Sequence, residues 1–393
     1  MTTKKRGLST RSVQGNKRPQ PGPAVEPIVQ TSTFIFKDQH EMVNAVQGTS
    51  GKHVYTRWSN PTTRNAEEKI SSLEGTDDTL LLASGMAAIS STVYGFLKKG
   101  NRLLSCDSIY GGTLHLFKEV LPNQGIEVDF HPLDGFADAV ENSYGSYDMC
   151  YFETPTNPVL GIVDIRRVAS AAKATNTVSV IDNTFATPIN QRPHELGVDV
   201  VIHSATKYLG GHSDVIAGCV SGCDEHIKKV RSAARLLGGT IDPFASFLLD
   251  RGIKTLAARM VWHNFNAIFL ADKLSQDSRI SRIHYPGLPT HPNHSIARRQ
   301  MSGYGGMIAI DLDANLNMTK DFVDSLEIFL NAVSLGGVES LASIPALTTH
   351  YGFSKEELEK TGISESTVRL SVGIEDPEDL LQDIRQALDL SIR

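Results

Sequence analysis

The chain predicts an α/β fold: a mostly parallel sheet covered by helices on both faces, followed by a smaller C-terminal α+β domain. Three observations predict it. From about Thr79, short apolar runs alternate with helix-like stretches separated by Gly, Pro, Asn and Asp. After Arg251 this rhythm gives way to longer amphipathic stretches with fewer apolar strands between them. At 393 residues, the chain also exceeds the usual single-domain size of ~100–150 residues.

In chain order, the first fifty or so residues are rich in Pro, Gly, Thr and Gln and cannot build a core alone. Lys4, Lys5, Arg6, Arg11, Lys17 and Arg18 are not followed by an apolar block, which speaks against a secretory leader and for a mobile polar arm lying across a neighbouring subunit. Strands are expected at 79–82, 102–106, 126–130, 149–152, 177–181, 198–203 and 215–221, with helices at 85–97, 165–173 and 225–236. Residues 79–97 carry no charge but contain Ser84, Gly85, Ser90, Ser91 and Thr92, so they fit a buried strand and helix rather than a membrane span. Beyond Arg251, amphipathic helices are expected at 253–274 and 321–330. The resulting division is an arm over 1–55, a main domain over 56–250 and a C-terminal domain over 251–393.

The 38 Lys and Arg against 44 Asp and Glu give a net charge of -6, without the basic excess that nucleic-acid binding requires; small soluble partners are expected. Cys106 and Cys150 sit in or beside apolar runs and read as buried thiols. Cys219 and Cys223 match no zinc signature, so no metal is assigned and a reducing, cytoplasmic setting is expected.

The segment Ser204-Ala205-Thr206-Lys207-Tyr208-Leu209-Gly210-Gly211-His212 follows an apolar strand directly. A lysine between hydroxyl residues, at the mouth of a strand, suits an amine attacking an aldehyde, with Ser204 and Thr206 donating to phosphate oxygens; a surface lysine is the alternative. Asp182 ends the apolar run Val178-Ser179-Val180-Ile181. It suits a carboxylate that keeps a pyridine nitrogen protonated, or a helix or turn cap. At Ala83-Ser84-Gly85-Met86 a strand turns through glycine into a helix whose first N–H groups form an anion site. Neither a Walker loop nor a dinucleotide fingerprint is present. Tyr110 offers a ring to stack on a flat cofactor, or else packs in the core. Asn157 offers an amide to a ring hydroxyl or a substrate carboxylate, or makes an Asn-Pro turn. Arg369, a charge inside an alternating apolar run, suits a clamp on an α-carboxylate or an ion pair with a nearby acid.

With Tyr55-Thr56-Arg57-Trp58-Ser59-Asn60-Pro61-Thr62, Ser334-Leu335-Gly336-Gly337-Val338-Glu339-Ser340 and Arg369-Leu370-Ser371-Val372-Gly373-Ile374-Glu375, these motifs resemble the trans-sulfuration enzymes over nearly the whole chain. That is the Cys/Met-metabolism family of pyridoxal 5'-phosphate proteins, which includes cystathionine γ-lyase, cystathionine γ-synthase and methionine γ-lyase. The resemblance implies the aspartate aminotransferase type of fold (fold type I), with 56–250 as the cofactor domain. It implies Lys207 as the cofactor-bound lysine and proton shuttle, Asp182 on the pyridine nitrogen and Tyr110, the second catalytic candidate, stacked on the ring. Gly85, Met86, Ser204 and Thr206 would hold the phosphate, joined by Tyr55 and Arg57 from the neighbouring subunit of a homotetramer. Ser334 and Arg369 would hold the substrate carboxylate.

The implied reaction is γ-elimination on L-cystathionine and related substrates (homocysteine, methionine), giving 2-oxobutanoate, ammonia and a thiol. Its alternatives are γ-replacement on an O-acylhomoserine with cysteine, then methionine γ-lyase; an aminotransferase is the different class. Val333 stands where many γ-lyases and γ-synthases carry Glu, and Gly112 where many methionine γ-lyases carry Cys. Trp58 either narrows the entrance from the neighbouring subunit or packs there.

Overall fold

The apolar runs become two sheets in the computed structural model, which describes residues 6–16, 21–349, 351–354, 356, 358 and 361–392. The larger has seven strands: β1 (Asp78–Leu82), β2 (Arg102–Cys106), β3 (Glu127–His131), β4 (Met149–Glu153), β5 (Val178–Asp182), β6 (Val200–His203) and β7 (Gly218–Gly222). Their order is β1-β7-β6-β5-β4-β2-β3. β2 to β6 pair in parallel, while β7 is antiparallel to both its neighbours. Each strand lies within a few residues of its expected place.

Alternation across the pleat assigns the two faces. Leu80 and Leu82 of β1 join one apolar cluster with Ala88, Ile89 and Val93 of the helix Gly85–Phe96 and Ile227 and Val230 of Asp224–Leu237. Leu81, with Cys219 of β7, faces Ile70 and Leu73 of Pro61–Glu74 and Leu249 of Pro243–Ile253. The second sheet, β8 (Ile280–His284), β9 (Met307–Leu312), β10 (Leu330–Asn331), β11 (Leu341–Ser343) and β12 (Thr367–Ser371), runs β10-β11-β12-β9-β8. Ile308 and Leu370 of this sheet, Met260 and Leu270 of the helix Leu256–Leu274, and Leu380 and Ile384 of Pro377–Ser391 belong to the same cluster as Leu81. One apolar core therefore runs from the large sheet into the small one.

Two expectations change. The stretch 321–330 is not one helix: Asn315 caps a helix Leu316–Asp324, and Leu330 opens β10. The Asp383 carboxylate accepts the backbone N–H groups of Glu327, Ile328 and Phe329 at 2.8–3.0 Å, holding the chain out of the helix. The arm is not wholly mobile. Leu8–Gln14 is helical, and buried Arg11 donates to Ser72 O at 2.6 Å and Arg6 O at 2.9 Å. Lys4, Lys5, Lys17 and Arg18 lie outside the described residues.

No helix among the described residues is long and apolar enough to cross a membrane. Cys106, Cys150 and Cys219 are buried free thiols and Cys223 is partly exposed; no metal-ligating group of three or more side chains occurs among the described residues.

Candidate active site

Tyr110, Asn157, Asp182, Ser204, Thr206 and Lys207 end or follow parallel strands of the large sheet at their carboxyl ends, where open α/β sheets leave a crevice. Beside β1, Ser84 caps the helix Gly85–Phe96 by accepting from Ala87 N at 3.0 Å. The N–H groups of Gly85 and Met86, in the first turn, then have no intrahelical acceptor and face outward as an anion cradle. Ser204 closes the cradle. A Cβ on Gly85 would lie 2.9 Å from Ser204 Cβ and 3.1 Å from its Oγ, so only glycine lets turn and hydroxyl meet. Thr206 donates its hydroxyl to Ala217 O at 3.1 Å and accepts Ala217 N at 2.9 Å. Its one proton is thus engaged, whereas Ser204 Oγ has no protein acceptor among the described residues.

Asp182, at the end of β5, accepts from Thr184 N at 2.9 Å and from the Thr184 hydroxyl, and Thr184 Oγ1 accepts Ser204 N at 2.8 Å. One threonine therefore ties the carboxylate to the anion cradle. Burial raises the Asp182 carboxyl pKa, opposed by the two Thr184 bonds and by His203. His203 Nε2 in turn pairs with Glu74, both side chains fully buried. Tyr110 exposes 45 % of its surface. Its backbone N–H donates to Glu153 Oε1 at 2.7 Å, and a Cβ on Gly112 would lie 2.7 Å from its ring and 3.2 Å from Met86 Sδ. Gly112 leaves room for the ring to lean towards the cradle.

On the other side, Lys207 Nζ donates to Ser334 Oγ at 2.6 Å. Ser334 holds φ at 86°, rare for a residue with a Cβ and a mark of strain at a working site. Its carbonyl accepts Arg369 Nη2 at 3.0 Å, and Asn157 Oδ1 accepts Arg369 Nη1 at 3.0 Å. Because Arg369 can only donate, Asn157 must turn its oxygen to it and keep Nδ2 as a free donor. Arg369 is buried yet takes part in no ion pair among the described residues; burial lowers its pKa to about 10. An ion pair was the plain alternative for this residue, and the described residues offer no acid for it. Burial, helped by Arg369, lowers the Lys207 amine to about 8.

Lys207, Ser334, Arg369 and Asn157 thus form one hydrogen-bonded chain, and Gly85, Met86, Ser204, Asp182 and Tyr110 a second group. Tyr55 and Arg57 stand apart. Arg57 stacks 5.6 Å over Tyr55 and donates to Arg235 O, and Trp58 lies 5.3 Å beneath Arg235. The sequence reading gave Thr184 and Glu153 no role, yet both meet the candidate residues directly. The available signal for Glu153 was that it ends β4 as Asp182 ends β5.

The family model described as Cys/Met metabolism PLP-dependent enzyme matches residues 9–389. Cystathionine beta-lyase of Lactococcus lactis is 43% identical over 364 residues, covering 92% of this chain and 93% of the relative. L-methionine gamma-lyase of Pseudomonas putida is 41% identical over 392 residues, 98% of each. The chloroplastic cystathionine gamma-synthase 1 of Arabidopsis thaliana is 40% identical, and the match covers 92% of this chain but 65% of that relative's length. Among solved structures, cystathionine gamma synthase from Xanthomonas oryzae pv. oryzae in complex with cystathionine superposes with a TM-score of 0.91 at 36% identity, covering 98% of both chains.

Proposed function

This chain belongs to the Cys/Met-metabolism family of enzymes that use pyridoxal 5'-phosphate, in fold type I, and from that premise we propose that it is a carbon–sulfur lyase of cystathionine γ-lyase type. It acts by γ-elimination on L-cystathionine and on homocysteine and methionine, releasing 2-oxobutanoate, ammonia and a thiol. The observation that carries this reading is the buried, acid-free guanidinium of Arg369, one serine away from the amine of Lys207.

The residues fit the cofactor. The first-turn amides of Gly85 and Met86 with Ser204, and Thr206 if its hydroxyl turns from Ala217, suit the phosphate. Asp182 suits the pyridine nitrogen, Tyr110 the ring face, Asn157 Nδ2 a ring hydroxyl or the substrate carboxylate, and Lys207 the aldehyde. When bound, pyridoxal phosphate supplies an electron sink for charge developing at the substrate α-carbon. Arg369 clamps the α-carboxylate, and a bound carboxylate supplies the missing counter-charge. Lys207, half neutral near pH 8, takes the α-proton while Ser334 Oγ steers its Nζ. Val333, 63 % exposed beside Ser334, presents an apolar surface that suits neutral thioether tails and gives cystathionine's distal amino group no charged partner, in keeping with a broad specificity. Tyr55 and Arg57 complete the phosphate site of a neighbouring subunit in a cytoplasmic homotetramer.

A second reading, cystathionine γ-synthase, uses the same residues and is favoured by the likeness to the Xanthomonas γ-synthase. Product analysis separates the two, with L-cystathionine, L-methionine and O-acetylhomoserine, the last with and without cysteine. Fast 2-oxobutanoate and cysteine from cystathionine is the expected result. Fast cystathionine formation from O-acetylhomoserine plus cysteine, with slow thioether breakdown, establishes the synthase. Amino-group exchange with an added keto acid in place of either would mean an aminotransferase.

A further inference from the structure

Glu153 has no part in the chemistry above, yet it sits at its centre. It is the register partner of Asp182 on adjacent parallel strands, so the two carboxyl groups leave the sheet on one face as neighbours. Glu153 is 6 % exposed, and its Oε1 accepts the Tyr110 N–H at 2.7 Å. Tyr110 is the residue that enters the helix Gly111–His115. Two ionised carboxylates side by side in a buried site repel, so one of them keeps its proton.

The donors decide which. Asp182 receives the N–H and hydroxyl of Thr184 and faces His203, all of which favour its charge. Glu153 receives only the Tyr110 N–H among the described residues; burial and the Asp182 charge push its carboxyl well above the ordinary range. Among the described residues, Cys106 of β2 and Tyr151 of its own strand also face it, both kept neutral by burial, and neither offers a cation.

We propose that Glu153 is a positioning residue: as a neutral carboxylic acid it pins the Tyr110 backbone, setting that ring over the cofactor plane, and leaves Asp182 as the single negative charge beneath the pyridine nitrogen. This rests on the roles given above to Tyr110 and Asp182. Gly112 completes the device, because the ring held by that anchor fills the space a Cβ would take.

The test uses full-length wild type, E153Q, E153A, Y110A, E153A/Y110A and D182N, each stripped of cofactor and titrated with pyridoxal phosphate at neutral pH. Affinity and the visible circular dichroism of the bound cofactor are followed. E153Q, neutral and able to accept the same N–H, keeps the wild-type band and an affinity within about twofold. E153A loses most of the band and binds about tenfold more weakly, and in the Y110A background it adds nothing. E153M, of similar length but without the acceptor, replaces E153A if that variant does not fold. E153Q behaving like E153A, or an equal loss with and without Tyr110, would overturn the proposal. Wild-type binding by D182N overturns the site reading and this proposal together; weak binding by D182N beside normal binding by E153A overturns the role of Glu153 alone.

Discussion

Arg369 acts on Lys207 through its charge. Burial, helped by the guanidinium, holds the lysine amine down, so that near pH 8 half the amines are neutral and competent to attack an aldehyde. Reconstitution of the cofactor-free protein with pyridoxal phosphate should therefore speed up as pH rises and level off above a midpoint near 8, read by stopped-flow absorbance. In R369M the positive neighbour is gone, the amine holds its proton more firmly, and the midpoint moves upward. The same variant should bind amino-acid substrates ~100-fold more weakly, from the loss of charge-assisted hydrogen bonds worth about 1.5–3 kcal/mol each. A midpoint unchanged in R369M would mean that burial alone sets the amine. Both residues stood out in the sequence, Lys207 by its hydroxyl neighbours and Arg369 as a charge in an apolar run. Ser334 was named from its motif, but its backbone angle of 86° and its place between the two are visible only in the folded chain.

The elements matter through how closely they approach. β7 runs against its neighbours and passes directly under the turn that starts the helix Gly85–Phe96; a Cβ on Gly218 would fall on Ser84 O. Gly218→Ala should thus displace the anion cradle, destabilising the protein by ~2 kcal/mol in urea unfolding and weakening pyridoxal phosphate binding at least about tenfold. Stability lost with cofactor affinity intact would separate the cradle from β7. The sequence marked the large-sheet strands well because alternation and apolar runs are local signals. It misjudged 321–330, where the local pattern is amphipathic but the deciding partner is Asp383, more than fifty residues away. Arg11 was misread for the same reason, as its acceptor on Ser72 lies in another element.

In the whole molecule the site is built from both sheets. Asp182 ends and Ser204 and Lys207 follow strands of the large sheet, Arg369 lies in β12 of the small one, and the continuous core between the sheets fixes their spacing. Arg57 lines a small cleft with Trp58, Arg231 and Arg235, and Tyr55 packs against Arg57; the cleft contains none of the Lys207 group. If they serve a neighbouring subunit, Arg57→Ala and Tyr110→Ala proteins should each lose most activity, and unfolding and refolding them together should restore about a quarter of the wild-type value, since half the dimers are mixed and half their sites intact. No recovery in verified mixed dimers would remove the shared site. The sequence by itself determined the strand rhythm, the strand-to-helix turn at Gly85 and the family, because these depend on patterns a few residues long. The tertiary structure alone decided that Arg369 meets no acid among the described residues, that Thr206 is engaged by Ala217, and that Glu153 lies beside Asp182. Each of these depends on which atoms meet across strands distant in sequence, and burial sets their charge only once the core has closed around them.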